Sequence, residues 1–324
     1  MTPIKNVAVF GASGNFGVPI TAALQQAGFT ITIITRAEST STFPPGLRVL
    51  TVDYTSLEAL TTALTGQDAV VMALSPAAAF GSTNVQNTII DAVEAAGTVQ
   101  RVIVNDFGWG PDIRSLPEFD AVRQVRKVHW DYAKMRSEGS GRFTWTGISC
   151  GNPIDWALQK FPILGFTLAT STVTIYDHGT EYFTGTTLEG IGQSVVGVLH
   201  HPDETANRFV KTLSIKTNQT ELLQAFESAT KTHESGQDGN RWTVEHSTVQ
   251  TLLERGRLML SKGNGQWRVN LLVAQMFEEG QARCVLAPSW EQSDSSLLGV
   301  RSEPVEEVVA KALGLQNAPL MGVI

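Results

Sequence analysis

The sequence predicts an α/β fold: a Rossmann-type, doubly wound parallel sheet with a smaller C-terminal α+β region that binds the substrate. Three observations carry this. The apolar run Asn6–Phe10 ends in glycines spaced GxxGxxG, namely Gly11, Gly14 and Gly17, and opens into an amphipathic stretch from Val18 to Ala27. Short β-rich runs then alternate with helical patterns as far as residue 153, which is the signature of a parallel sheet wound with helices. The run Asp68–Leu74 is almost continuously apolar, as a strand buried on both faces must be.

In order along the chain, the glycine triplet is a strand, a tight turn and a helix start. Glycine is needed where the chain turns sharply and brings bare backbone N–H groups to a pyrophosphate, which then faces the positive end of the helix dipole. The spacing differs by one residue from GxGxxG, but the context is right on both sides and the triplet follows the first strand of the chain. Thr30–Thr35 is a second strand, followed at once by Arg36. An acid at that place would bind the ribose 2′-hydroxyl of NAD, whereas an arginine pairs with a 2′-phosphate, so the sequence prefers NADP; a solvated loop arginine is the plainer alternative. Ser39, Thr40 and Ser41 add hydroxyls. Leu47–Val52 is a third strand ending at Asp53, which either accepts from an adenine amino group or caps the helix near Leu57 in rivalry with Ser56.

Asp68–Leu74 is strand four and stops at Ser75-Pro76; Val85–Ala96 is a helix closed by Gly97; Arg101–Val104 is strand five, ending at Asn105-Asp106-Phe107-Gly108. A helix follows from Ala121 to Arg136, then the strand Phe143–Ser149 and the break Cys150-Gly151-Asn152-Pro153. This divides the chain into a nucleotide-binding domain over 1–153, to which 188–216 returns, and a smaller, interleaved substrate-binding region over 154–324. Within the latter, 154–187 reads as a short helix and hairpin-like strands, Leu188–His200 as a helix and Arg208–Ile215 as a strand. Helical patterns recur at 219–229, 244–261, 267–279 and 303–313, and 231–242 is a polar loop.

Composition narrows the function. With 324 residues the chain is long for one core, and 42% hydrophobic residues are ample for a globular one. A net charge of −7 argues against a nucleic-acid surface. The two cysteines, Cys150 and Cys284, are no disulfide framework and predict a reducing compartment. No cleavable leader pattern is visible and no apolar run approaches the ~20 residues of a membrane span, so the expectation is a soluble, cytoplasmic protein. The expected partner is a small-molecule substrate, with neither nucleic acid nor membrane, in a monomer or homodimer. No Cys or His spacing suits a metal.

The motif Gly11-Ala-Ser13-Gly14-Asn15-Phe16-Gly17, Arg36 after strand two, Asn105-Asp106-Phe107-Gly108 after strand five and Lys127 on the next helix make this chain resemble the NmrA-like and isoflavone-reductase-like group of atypical short-chain dehydrogenases. Lys127 falls where that group keeps its catalytic lysine, and Glu189-Gly190-Ile191 stands near its Asp-Ile. The resemblance implies NADP(H) as cofactor, held by Gly11, Ser13, Gly14, Asn15, Phe16, Gly17, Arg36, Asp53, Ser75, Asn105, Lys127 and Asn152. It implies hydride transfer to a small aromatic or polyketide-like secondary metabolite, with Lys127 as general acid or base. It equally includes regulators that bind NADP without turnover and act through a protein partner. The Tyr-x-x-x-Lys pair of typical short-chain dehydrogenases is absent, since Arg136 stands four residues after Tyr132.

From the residues alone Lys127, with Arg123 one turn before it, reads more readily as part of a solvated basic face; burial that lowers its pKa toward neutrality would suit it to proton transfer, and Asp131 on the same face would oppose that. His129 and His178 read more naturally as structural residues, and Cys150 as a small core residue. Trp109, Trp156, Tyr176 and Phe183 either wall a flat aromatic pocket or pack the second region.

Overall fold

The computed structural model describes residues 3–75, 84–231 and 242–314. Its centre is a seven-stranded parallel sheet built from β1 (Asn6–Phe10), β2 (Thr30–Arg36), β3 (Arg48–Val52), β4 (Ala69–Met72), β5 (Arg101–Ile103), β6 (Thr144–Ser149) and, after a long excursion, β11 (Arg208–Lys211). The order across the sheet is β11-β6-β5-β4-β1-β2-β3, so the chain reverses direction between β1 and β4. That reversal opens a crevice outside the carboxyl ends of the strands.

Alternation along the strands builds the two layers. Val7 and Val9 point to one face, with Ile33, Val71 and Ile103, and meet α1 (Gly17–Gln26) and α6 (Leu188–His200). Ala8 and Phe10 point to the other, with Ile34, Val70, Met72 and Val102. There they meet α2 (Leu57–Leu64), α3 (Val85–Ala96) and α4 (Asp120–Ser140). Residues of this strand interior are apolar on both sides because helices cover both faces.

The remaining elements form a second core. The helix α5 (Ile154–Lys160), the strands β8 (Phe166–Thr167) and β9 (Thr172–Tyr176), and the helices α7 (Gln219–Lys231), α8 (Val249–Ser261), α9 (Trp267–Phe277) and α10 (Val305–Gly314) gather around Phe183, Phe226, Phe277 and Val308. A three-stranded sheet of β7 (Asn152–Pro153), β10 (Phe183–Thr186) and β12 (Ile215–Thr217) lies between this core and the large sheet in sequence.

Two expectations are corrected. Arg208–Ile215 is not one strand: β11 pairs with β6, Leu213 N–H turns to Ser295 Oγ at 2.9 Å, and β12 pairs antiparallel with β10. The chain changes sheets across Thr212–Ser214, which an unbroken run of β-formers does not disclose. Nor is 244–261 one helix. Thr243–Ser247 is a strand, β13, paired parallel with β9, and Thr248 caps α8 by accepting from Thr251 N–H at 3.1 Å. Long-range pairing to β9 decided the matter there, and Thr243 and Val244 are the β-branched residues that favour it. The polar loop expected at 231–242 lies almost wholly outside the described residues.

Candidate active site

The glycine turn joins β1 to α1 at the carboxyl edge of the sheet. Gly11 has φ +77°, and its carbonyl accepts from Gly14 N–H at 3.0 Å. The three glycines are required for different reasons. A Cβ on Gly11 would stand 2.1 Å from the carbonyl oxygen of Ala73, and one on Gly17 2.0 Å from that of Gly11, so the chain's own packing excludes both. On Gly14 the nearest atom, Gly11 O, would be 3.3 Å away, a tight contact but a far milder one than at the other two glycines. Its bare backbone therefore leaves a cradle that a ligand can approach. The helix behind it fits an anion: α1 starts at Phe16 with no side-chain cap and no acid in its first turn. By contrast Ser56 caps α2, which has Glu58 in its first turn, and Thr187 caps α6, which has Glu189. An uncapped, acid-free N-terminus suits a pyrophosphate that does the capping itself. Ser13 Oγ accepts from Ser41 Oγ at 3.0 Å, drawing the segment after β2 toward the turn, while Asn15 is half-buried beside them.

Arg36, at the end of β2, is 53% exposed and lies 3.3 Å from Glu38. Asp53 does not cap α2. Ser56 does, accepting from Ala59 N–H at 3.2 Å. Asp53 Oδ1 instead accepts from the N–H of Thr55 at 2.8 Å and its hydroxyl at 2.7 Å, bonds that hold its carboxyl below the usual range. Arg36 and Asp53 thus stand at the ends of neighbouring strands on the β1–β3 side of the crevice.

On the other side, Ser75 is exposed just past β4, at the limit of the described residues. Asn105 is buried, and its Oδ1 accepts from Leu74 N–H at 2.6 Å, tying the end of β5 to that of β4. Asp106 follows, its side chain wholly buried and 3.4 Å from the Arg126 guanidinium on α4. Burial pushes its carboxyl up to about 6, against the opposing pull of Arg126 and of the Gly108 and Gly110 amides. Phe107 takes a left-handed φ of +47° and packs its ring on Phe16 at 5.9 Å, joining this turn to the glycine turn. Gly108 O accepts from the N–H groups of Cys150 and Gly151 at 2.8 and 2.9 Å.

Lys127 lies outside this group. The buried stripe of α4 is His129, Trp130, Ala133 and Ser137, and Lys127 belongs to the solvent side. It is 56% exposed and bonded to Asp131. The buried, acid-free setting that would prepare it for proton transfer is not the one found. Asn152 is buried too, its Nδ2 3.5 Å from Met276 Sδ, at the join with the second core. The Asp106–Arg126 pair has no signature in the sequence, because its members stand twenty residues apart with no regular spacing.

The other candidates are structural. His129 Nδ1 meets Asn87 Oδ1 at 2.9 Å, and burial lowers its pKa. Cys150 is fully buried and its thiol is pushed far up by desolvation, so it is no nucleophile. Tyr176 stacks on Phe277 at 5.5 Å and Phe183 meets the same ring edge-on at 5.9 Å, while Trp109 and Trp156 pack against that cluster; these aromatics serve the second core. Among the described residues no group of His, Cys, Asp and Glu is placed to hold a metal, and no helix is long and apolar enough to cross a membrane.

Known proteins place this geometry. A family model described as NAD(P)H-binding matches residues 11–159. The chain is 57% identical to the oxidoreductase poxI of Penicillium oxalicum over 304 residues, covering 94% of this chain and 92% of that one. It superposes on an isoflavone reductase with a TM-score of 0.71 at 17% identity, covering 94% and 98% of the two chains. On the complex of leucoanthocyanidin reductase with NADPH from Vitis vinifera the TM-score is 0.72 at 17% identity, covering 95% and 99%.

Proposed function

We propose that this chain, which belongs to the oxidoreductase family of poxI from Penicillium oxalicum and has the fold of an isoflavone reductase, is an NADPH-dependent reductase acting on a small, aromatic or polyketide-like secondary metabolite. The observation that carries the reading is the glycine turn: Gly14 leaves an open cradle in front of an uncapped, acid-free helix N-terminus. There the backbone takes the pyrophosphate, and Arg36 takes the 2′-phosphate, displacing its exposed contact with Glu38. An exposed pair of that kind contributes only ~0.2–1 kcal/mol, so a doubly charged phosphate outcompetes it.

Bound NADPH supplies the hydride. The protein supplies orientation and a proton, which we assign to Lys127. Delivery requires the Lys127 ammonium, on the solvent side of α4, both to leave Asp131 and to turn toward the crevice. An exposed i,i+4 pair is worth about 0.3–0.5 kcal/mol, a small increment beside any hydride-transfer barrier. Arg123, Arg126 and Arg136 on the same helix are poor donors because an arginine stays charged at any working pH. Steady NADPH oxidation against a panel of carbonyls, enones and benzylic ethers tests the reading. Saturable NADPH binding with no turnover across the whole panel would favour a sensing role over an enzymatic one.

A further inference from the structure

The buried acid Asp106 is the feature that neither the glycine turn nor Lys127 explains. A carboxylate with no exposed surface is unfavourable in an apolar interior unless it is fully paired. This one is not. Its Oδ1 is 3.4 Å from Arg126 Nη1, a long contact, the Gly108 and Gly110 amides favour its charge, and its Oδ2 is buried with no hydrogen-bond partner. Around it the backbone is committed to an unusual path. Phe107 is left-handed, Gly110 has φ +66°, and a Cβ on Gly108 would lie 3.1 Å from Arg126 Nη1. Gly108 thus lies beside the contact between the carboxylate and the guanidinium, and the turn is fastened to its neighbours at two points: Phe107 to Phe16, and Gly108 O to the amides of Cys150 and Gly151.

We propose that Asp106 is a positioning residue of the cofactor site: with Arg126 it holds the Phe107–Gly110 turn against the glycine turn, forming the wall of the crevice on the β4–β6 side, where the nicotinamide end of NADPH lies. This rests on the NADPH-binding reading above. The groups facing Asp106 are Arg126 from α4, which favours its charge, and Cys150 from the end of β6, whose thiol stays neutral.

The sign of the linkage separates positioning from ordinary structural support. The carboxyl pKa rises from 3.8 to about 6 on folding, so the folded chain holds the proton more tightly than the unfolded one. Stability from this group is therefore greatest at low pH and falls as pH rises from about 4 to about 6, leaving the ionised acid a burden on the fold at pH 7.5. Arg126 keeps about a third of its surface in water, so it suffers little from losing its partner. Asp106→Asn should accordingly leave the melting temperature at pH 7.5 unchanged or higher while weakening NADPH binding by about tenfold.

The test is NADPH fluorescence titration of the wild type, Asp106→Asn and Arg126→Met between pH 5 and 8, with thermal melts alongside. The 2′-phosphate of NADPH titrates near pH 6 as well, so the informative quantity is the difference between variants, which share that phosphate. The wild type should lose affinity on acidification through about pH 6 more steeply than Asp106→Asn. In Arg126→Met, loss of the neighbouring positive charge should move that acid limb to higher pH. This variant decides the matter if Asp106→Asn does not fold. Identical NADPH affinities and pH profiles in all three proteins would overturn the proposal, as would a lowered melting temperature in Asp106→Asn with wild-type affinity. A wild type that does not bind NADPH at any pH would instead refute the underlying reading of the site.

Discussion

The turn after β1 and the turn after β5 lie on the same edge of the same sheet, yet they are built in different ways. The first, from Gly11 to Gly17, contains no charged side chain; backbone packed on backbone fixes it, Gly11 against Ala73 and Gly17 against Gly11. The second, from Asn105 to Gly110, adds side-chain ties to the backbone bonds of Gly108 O: Asn105 on Leu74, Asp106 with Arg126, Phe107 on Phe16. A site made of backbone has to be written in residue identity and spacing, because only glycine permits the close approach. A wall made of side chains draws its partners from anywhere in the chain, so it leaves no local pattern.

The comparison can be broken first at the glycines. Gly17→Val should produce the largest effect, because its side chain meets Gly11 O and the backbone of Ala12, neither of which can move aside. A loss of about 3 kcal/mol is expected, roughly 4–5 °C in melting temperature, or failure to fold. A melting temperature equal to the wild type would show that the turn is not packed as described. Next comes the side-chain half of the site. Lys127 and Lys134 are matched in exposure, each 56% exposed, and each faces an acid four residues on, hydrogen-bonded for Lys127 and at 3.9 Å for Lys134. Lys127→Ala should lower turnover by ~10²–10⁴-fold, and Lys134→Ala should retain most activity. Similar rates in the two variants would remove Lys127 from the chemistry. The smallest expected effect concerns the far end of the cofactor. Arg36→Ala should weaken NADPH by roughly ten- to a hundredfold and leave NADH affinity unchanged, measured by fluorescence titration. Equal binding of NADPH and NADH by the wild type would contradict the assignment of Arg36 to the 2′-phosphate.

The same contrast explains what could be read from the sequence. The sheet was legible because the unbroken apolar runs at Val7–Phe10 and Ala69–Met72 are local consequences of being covered on both faces. The glycine turn was legible because its chemistry is its spacing. The change of sheet at Thr212–Ser214 and the strand Thr243–Ser247 were not, since distant partners, Ser295 and β9, decide them. Within the site, it was the family resemblance that pointed to Lys127, while the residues alone read more readily as a solvated basic face, the face on which the structure places it. Arg126, one residue earlier, is the one that reaches the end of β5, and only the packing of Trp130 and Ala133 against the sheet reveals it.

The central claim is that an open backbone cradle in front of α1 binds the pyrophosphate of NADPH. Gly14→Val tests it most directly, because Gly14 is the glycine of the turn where an added Cβ meets the mildest contact, 3.3 Å from Gly11 O. The wild type and the variant should be titrated with NADPH by fluorescence after both have been melted. The account predicts a variant with a melting temperature close to that of the wild type and no saturable binding up to millimolar NADPH. A natively folded variant that binds NADPH as the wild type does would contradict it.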